Sequence, residues 1–352
     1  MAILGESKGR RFMRIPGVPT YISMVRSSVP ALKPDKTLLI QSSTVLLICA
    51  LIDLFPGFFL GTFEVYLEDV PGLLILLPAT VGLRGNIFGA LAARLGSKLH
   101  LGTLETKFKG NRVLRDQILG STIQLMLLST IIPLVAVLFA WILSIEIAPV
   151  HHLMLISLLG GVLSGALMFV ITLAITFMSF RKGWDPDNVS APIIASAGDI
   201  LTIPIMFFAA WISLSIADDT MLAIVLSVIG AVILFTVLSI LFIKGDHRSM
   251  LKHAMPIAVF AVLLSSVSGI ILEGNFNIFF KGTVFLILVP AFNGQGGSIG
   301  SILGSRLTSA AYLGTSKLSG KPSYLALNSS FTLWLISLVV FSVMAGGALL
   351  LG

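Results

Sequence analysis

The chain has 352 residues, of which 56% are hydrophobic and only 11% are charged, and its mean hydropathy is +1.02. A soluble globular domain is usually about a quarter charged, so this composition excludes a water-soluble enzyme, a disordered chain and a nucleic-acid-binding protein. The net charge of +7 is best interpreted against a lipid bilayer, as a signal of topology. Cys49 is the single cysteine, so no disulfide can form within the chain.

Nine apolar runs are long enough to cross a membrane, because a spanning helix needs about 20 mostly apolar residues. In chain order they are 38–62, 71–93, 118–145, 153–180, 190–216, 221–243, 254–274, 282–302 and 325–351. The runs are continuously apolar and do not alternate, which favours helices over a membrane β-barrel. The sequence predicts an all-α, multi-pass membrane protein with about nine transmembrane helices.

The basic residues predict the orientation of these spans. If the N-terminus lies inside and the spans alternate, 21 of the 23 Lys and Arg residues lie at cytoplasmic tails, loops or span ends, and the exceptions are Arg84 and Lys281. This distribution satisfies the positive-inside rule. We therefore expect a multi-pass protein of the cell membrane whose residues 1–37 form a basic cytoplasmic tail.

An internal repeat becomes visible when the sequence is aligned with itself so that position 78 meets position 290. Residues 78–103 then align without a gap to residues 290–315, with twelve identities in 26 columns. The identities include Pro, Arg, Ser, Thr and three Gly, which apolar bias does not readily align. We interpret this as a true repeat, in which spans 1 and 2 correspond to spans 7 and 8. Because the offset is six spans, the copies have the same orientation and form a parallel repeat.

The repeat defines the predicted organisation. A first five-helix unit covers 38–216, a linker helix with its loop covers 217–253, and a second, incomplete unit of three helices covers 254–352. Counterparts of spans 4 and 5 are missing from the second unit. We expect either that the chain is truncated or that a partner chain supplies the missing helices. The protein would then be a homodimer or a pseudo-dimeric monomer.

Asp199 is the strongest candidate for a functional residue. It is ionisable and deep inside a span, where a charge costs at least about 2.5 kcal/mol unless it faces protein or water. The small neighbours Ala195, Ser196 and Gly198 leave room for a hydrated ion. The alternative is a structural carboxylate that is hydrogen-bonded to a neighbouring helix.

Asn86 lies at nearly the same predicted depth as Asp199, after Gly85 in span 2. One carboxylate with neutral oxygens and water suits Mg²⁺, which prefers oxygen ligands and dehydrates reluctantly. In the second copy Ser298, a weaker oxygen ligand, takes the place of Asn86. The alternative is that Asn86 is structural and hydrogen-bonds to a neighbouring helix.

Asp53 and Arg84 are the other ionisable residues inside spans. Their counterparts in the second copy are Ser265 and Gly296, so both charges are absent there together. This joint absence favours a structural ion pair between them, and the alternative is that Asp53 lines an aqueous path.

The remaining polar residues indicate no enzyme. All five histidines lie near loops without a His/Cys cluster, which disfavours a transition-metal site of the zinc type. A lipid phosphotransferase would need clustered acids near the cytoplasmic face. Asp185 and Asp187 are the one such pair, and no nucleophile and base accompany them.

Two motifs in register resemble those of a known family. Pro78 to Asn86 with Arg94-Leu95, and Pro290 to Gly297 with Arg306-Leu307, resemble the paired signatures of the MgtE / solute carrier family 41 magnesium transporters. The segment from Asp185 to Asp199 resembles the fifth helix of that family. The resemblance covers about residues 38–216 and 254–352.

The resemblance implies a fold, a cargo and a set of site residues. It implies five-helix units arranged as a dimer or pseudo-dimer around a central cation path, with a hydrated Mg²⁺ held at Asp199. The Ala195 carbonyl, Gly85 and Asn86 carry over as further contacts, with Asp185, Asp187 and Asn188 at the cytoplasmic mouth. Ser298 departs from the Asn that the family usually has, so a symmetric site is not expected.

The sequence therefore predicts a divalent-cation channel or transporter embedded in the lipid bilayer. The cargo is Mg²⁺, and no covalent chemistry takes place. The alternative is a Mg²⁺ antiporter coupled to Na⁺ or H⁺, in which Asp53 or Asp199 alternates between the two ions.

Overall fold

A computed structural model describes residues 33–62, 64–104, 111–182, 186–243, 245, 247–275, 283–312, 314 and 323–351. Most of the predicted tail, residues 1–32, lies outside the described residues. Pro34–Gly352 form one compact unit. Its helices, in chain order, are α1 (Lys36–Ile52), α2 (Leu54–Thr62), α3 (Glu64–Asp69), α4 (Leu73–His100), α5 (Arg112–Leu143), α6 (Val150–Arg181), α7 (Pro186–Leu214), α8 (Asp218–Phe242), α9 (His247–Gly274), α10 (Thr283–Tyr312) and α11 (Tyr324–Leu351).

The all-α, multi-pass prediction is confirmed. Among the described residues, eight helical segments are long and apolar enough to cross a membrane. The ninth predicted span, 282–302, is α10, a 30-residue helix packed among the others. Its glycines and the amides of Asn293 and Gln295 make it less apolar than its neighbours. Gln295 is buried against other helices, whereas Asn293 is exposed and lines a cavity.

The first predicted span is broken near its centre. α1 ends at Ile52, Asp53 forms a turn, and α2 begins at Leu54. Pro56 explains the break, because proline has no N–H to donate to the carbonyl of Ile52 and its ring clashes with that carbonyl. The sequence analysis placed one continuous helix here. The break sets the Asp53 side chain, which is fully buried, at a helix discontinuity, where ion sites of transporters are often found.

Two hydrophobic cores hold the helices together. The larger core combines α4, α5, α6 and α7 with α9. The smaller core combines α1 with α10 and α11. The first helix of each predicted unit therefore packs into the core of the other unit. Sequence patterns locate spans but do not specify which spans are neighbours, so this exchange was not foreseen.

The same close contacts occur at positions that the repeat makes equivalent. A Cβ on Gly57 would collide with the backbone of Ile287, and a Cβ on Gly269 would lie 2.5 Å from the carbonyl oxygen of Ile75. In the alignment of the two copies, position 57 corresponds to 269 and position 75 corresponds to 287. The contact of Gly57 with Ile287 is therefore equivalent to the contact of Gly269 with Ile75. Gly89 and Ser301, which the same alignment places together, face each other directly. A twofold axis between α4 and α10 would produce all three contacts.

The predicted linker helix is the least enclosed of the spans. α8 contacts α6 and α5, and only 17% of its apolar window is buried inside the described residues. It follows α7 after the short connection at 215–217. An apolar helix with so little protein contact suits a position facing lipid.

Candidate functional site

The candidate site lies where α2, α7 and α10 meet the break at Asp53. Asp199 on α7 is 2% exposed and Asp53 is 0% exposed. The Oδ2 atoms of both aspartates lie within 3.3 Å of the point that a Cβ on Gly294 of α10 would occupy. Glycine is needed at 294, because any larger residue would displace the two carboxylates. The structure thus brings together two acids that are far apart in the sequence.

The surroundings of the two carboxylates are polar but contain few hydrogen-bond donors. Gln295 donates from Nε2 to Asp53 Oδ2 at 2.6 Å. Within the described residues, neither Asp199 Oδ2 nor Gln295 Oε1 has a hydrogen-bond partner, although both atoms are buried. Ser196 and the thiol of Cys49 lie beside Asp53. Buried oxygens without donors are the ligands that a hard cation takes.

Arg84 does not pair with Asp53, so the predicted ion pair is wrong. Its Nε donates to Ser164 Oγ on α6, and its Nη1 donates to the carbonyl of Thr80 at 2.6 Å. Gly160 leaves room for the guanidinium, with its Cβ position 3.8 Å from Nη2. The sequence offered the joint absence of both charges from the second copy and their depth in the spans, and neither reveals the direction in which a side chain points. Arg84 is fully buried inside the larger core, and its role there is to join α4 to α6.

Two cavities lie at opposite ends of the interface between α4 and α10. The proximal cavity is at the end where α4 finishes and α9 begins, and it has a volume of about 790 Å³. The distal cavity is at the other end and has a volume of about 300 Å³. The proximal cavity is lined by polar side chains that include Asn86, Arg94 and Ser301. The distal cavity is mostly apolar and is lined on both sides by equivalent residues, among them Pro78 and Pro290.

Residues close in sequence to the candidate site line the distal cavity. Ile203 and Asn293 line that cavity. Asp199 is one helical turn from Ile203, and Gly294 follows Asn293. Along α10, the stretch from Asn293 to Ser301, where the proximal cavity begins, spans about 12 Å. The α10 residues that contact the carboxylates therefore lie between those that line the two cavities.

The other predicted site residues are more scattered. Asn86 lines the proximal cavity, whose described lining does not include Asp199. Gly85 beside it has no atom of another described helix within 4 Å of its Cβ position. Ser298 is buried, and its hydroxyl has no partner among the described residues. α7 is helical through Ala195, so the carbonyl of Ala195 is committed to the N–H of Asp199. Asp185 lies outside the described residues, as do the side chains of Asp187 and Asn188.

The histidines were predicted to form no cluster, but two of them lie beside an aspartate. His151, His152 and Asp218 come together at the distal end, with their ligand atoms within 4.8 Å of one another. Two adjacent histidines and an aspartate on a distant loop gave no recognisable metal motif. The available signal was that the loops before α6 and before α8 were predicted to lie on the same side.

Comparison with known proteins confirms the predicted resemblance. Residues 77–209 match the family model of MgtE, described as a divalent cation transporter. The chain is 26% identical over 253 residues to solute carrier family 41 member 2 of Gallus gallus and of Homo sapiens. It is 28% identical over 255 residues to member 3 of Rattus norvegicus. These families comprise transporters and not enzymes.

The alignments cover 70% of this chain but only 43% of the two member 2 proteins and 54% of member 3. The chain thus spans about half the length of the curated relatives it matches. No solved structure matches the chain. The match to the family model ends at residue 209 and includes α4 and most of α7, the helices that carry Asn86 and Asp199.

Proposed function

We propose that this relative of the MgtE and solute carrier family 41 transporters moves divalent cations across the cell membrane, with Mg²⁺ as its cargo. The observation that carries the proposal is the buried pair of Asp53 and Asp199 against Gly294. Two carboxylates at this depth repel each other, and a divalent cation between them removes that repulsion. We further propose that the N-terminus is cytoplasmic, because the basic residues fall on that side.

The proposed path follows the interface between α4 and α10. The ion enters one cavity, is held mostly hydrated at Asp199 with Asp53 opposite, and leaves through the other cavity. Support comes from the contacts that recur in the two copies, which favour a pseudo-twofold axis between them. The 790 Å³ proximal cavity is large enough for a hydrated ion. Passage requires binding that is strong enough to admit the ion and weak enough to release it.

The site is asymmetric under this proposal. The position equivalent to Asp53 is Ser265, which lies against Gly82 as Asp53 lies against Gly294. The second copy therefore offers a hydroxyl where the first offers a carboxylate. We propose that one cation is held off the axis, on the side of α2 and α7. Asn86 and Ser298 then contact the ion only as it passes to or from this site.

Coupled exchange is the second candidate function. Two adjacent carboxylates can hold either one divalent cation or a proton shared between them, so the pair of Asp53 and Asp199 suits exchange of Mg²⁺ for H⁺ or Na⁺. A channel and an exchanger with this site differ in their driving force. We favour uncoupled flux, because a cavity lies at each end of the interface between α4 and α10.

The first prediction is that the full chain, reconstituted in liposomes, carries Mg²⁺ under an imposed membrane potential. Entrapped Mg²⁺ indicator would measure the flux, and empty liposomes would provide the background. With no potential, an imposed Na⁺ or pH gradient at equal Mg²⁺ is expected to drive no flux. Flux that appears only with such a gradient would establish the exchanger instead, and absence of flux in every condition would contradict both functions.

The second prediction concerns the glycine between the carboxylates. Gly294→Ala places a methyl group against Asp199 and Asp53, so Mg²⁺ flux is expected to fall at least about tenfold, or about 1.4 kcal/mol. Gly297→Ala, on the same helix with nothing within 4 Å of its Cβ position, is the matched control and should keep wild-type flux. Equal flux in the two variants would show that the ion does not pass the carboxylate pair.

A further inference from the structure

A second group of metal-ligating side chains lies at the distal end of the bundle, apart from the aspartate pair. His151 and His152 occupy the first turn of α6, and Asp218 is the first residue of α8. Ser213 in the last turn of α7 lies beside them. A small apolar cluster that includes Met154, Leu155, Met221 and Val225 packs beneath and fixes α6 against α8. The residues are therefore held by three helices and not by a flexible loop.

The distances suit one small cation. Asp218 Oδ1 lies 3.2 Å from His152 Nε2 and 3.6 Å from His151 Nε2. A zinc ion binds nitrogen at about 2.0–2.1 Å and carboxylate oxygen at about 2.0–2.2 Å, so its ligand atoms are themselves roughly 3–4 Å apart. The two imidazole rings are tilted by 37°, with their centroids 4.9 Å apart, and both direct Nε2 towards the same oxygen.

Both ring nitrogens of His152 have a polar partner. Its Nδ1 lies 2.7 Å from Ser213 Oγ, and that hydroxyl donates to the sulfur of Met221. When Ser213 accepts from Nδ1–H, the lone pair of neutral His152 lies on Nε2 and faces Asp218. In the other tautomer, Nε2–H donates to Asp218 Oδ1, which lies 3.2 Å away. A ligating histidine that donates its other N–H to a fixed acceptor is the usual arrangement at metal sites.

His151 completes the set. Its Nε2 atom is buried and has no hydrogen-bond partner among the described residues. Two imidazole nitrogens and one carboxylate oxygen thus converge within 4.8 Å of one another. The carboxylate of Asp218 is 70% exposed, whereas the side chains of His151 and His152 are 22% and 14% exposed. An ion at this point can be reached from solvent past Asp218 and keeps a fourth position for water.

We propose that His151, His152 and Asp218 form a binding site for a borderline transition-metal ion of the Zn²⁺ and Co²⁺ class. Two imidazoles and one carboxylate match the three-ligand zinc sites that keep an open position. Mg²⁺ prefers oxygen ligands and an octahedral shell, so the proposed cargo does not compete here. A bound ion would connect the start of α6 to the start of α8. It would thereby add a link to α8, which has few contacts with other helices.

Cobalt serves as the probe, because tetrahedral Co²⁺ absorbs visible light much more strongly than hexaaquo Co²⁺. The full chain, purified in detergent without a polyhistidine tag, is titrated with Co²⁺. We expect an intense visible band at one equivalent that Zn²⁺ abolishes and millimolar Mg²⁺ leaves unchanged. The double variant His151→Ala/His152→Ala should lose the band. Ser213→Ala should bind Co²⁺ about tenfold more weakly, as loss of an outer-shell partner usually does.

Two controls separate this site from others in the chain. His253→Ala removes a histidine that lines the proximal cavity and should leave the band unchanged. Asp199→Asn should also retain it, which makes the result independent of the proposed transport site. If the band persists in the double histidine variant, or if wild type shows only the spectrum of hexaaquo Co²⁺, the proposal is overturned. The group would then be a histidine–aspartate ion pair held by a proton. Size-exclusion chromatography of each variant verifies its fold.

Discussion

Asp199→Asn is expected to reduce Mg²⁺ flux in liposomes to the background of empty vesicles. The substitution keeps the size of the side chain but removes the charge that faces Gly294 and Asp53. A divalent cation then meets one carboxylate instead of two. The site is buried, so a charge at the protein surface cannot replace the missing carboxylate. Even a loss of about 2.7 kcal/mol in binding would slow flux about a hundredfold.

The companion variants make this result specific. Asp53→Asn should retain part of the flux, because the charge of Asp199 remains and because Gln295 and Ser196 still offer oxygens beside position 53. Asp116→Asn removes another buried carboxylate, which is 6% exposed and lies beside Arg115. It is expected to leave flux within about twofold of wild type. Wild-type flux in Asp199→Asn would show that the ion takes another route.

Gly57→Ala and Gly269→Ala are expected to destabilise the protein by similar amounts. Each added methyl group would collide with the backbone of a facing helix, at Ile287 or Ile75. Backbone cannot move aside as a flexible side chain can, so the helices have to separate at a cost of about 1–3 kcal/mol. The two costs should agree, because the repeat makes the two contacts equivalent.

Thermal unfolding in detergent, followed by the loss of the size-exclusion peak after heating, measures both effects. Gly300→Ala is the matched control, since it lies inside α10 with nothing within 4 Å of its Cβ position. It should be neutral or stabilising, because alanine favours a helix over glycine by about 1 kcal/mol. A marked fall in one glycine variant and none in the other would argue against equivalent packing of the two copies.

The sequence predicted the spans well because long apolar runs carry that information directly. It predicted their neighbours poorly. Nothing in the pattern of residues 38–62 indicates that α1 packs on α10 and α11, while α9 takes the corresponding place against α4 and α5. Helix pairing in lipid depends on the shapes of facing surfaces, and the signal for it here was small. It consisted of Gly57 and Gly269 at equivalent positions.

The candidate site was predicted in part. Asp199 could be identified because an acid among Ala, Ser and Gly at membrane depth is costly without a purpose. Its partner could not, since Asp53 was matched to Arg84 by the absence of both charges from the second copy, and Arg84 points to Ser164 instead. Pro56 was the overlooked signal. It breaks the first span next to Asp53, and a broken span is as informative as a buried charge when a polar site is sought.

Cys49 gives the molecule a built-in reporter. It is 3% exposed and lies beside Ser196, near both Asp53 and Asp199, and it is the single thiol of the chain. Alkylation of this thiol needs water and reagent to reach the carboxylates. Its labelling rate therefore measures how often the interior opens, and protection by a bound ion can be recorded on the unmodified protein.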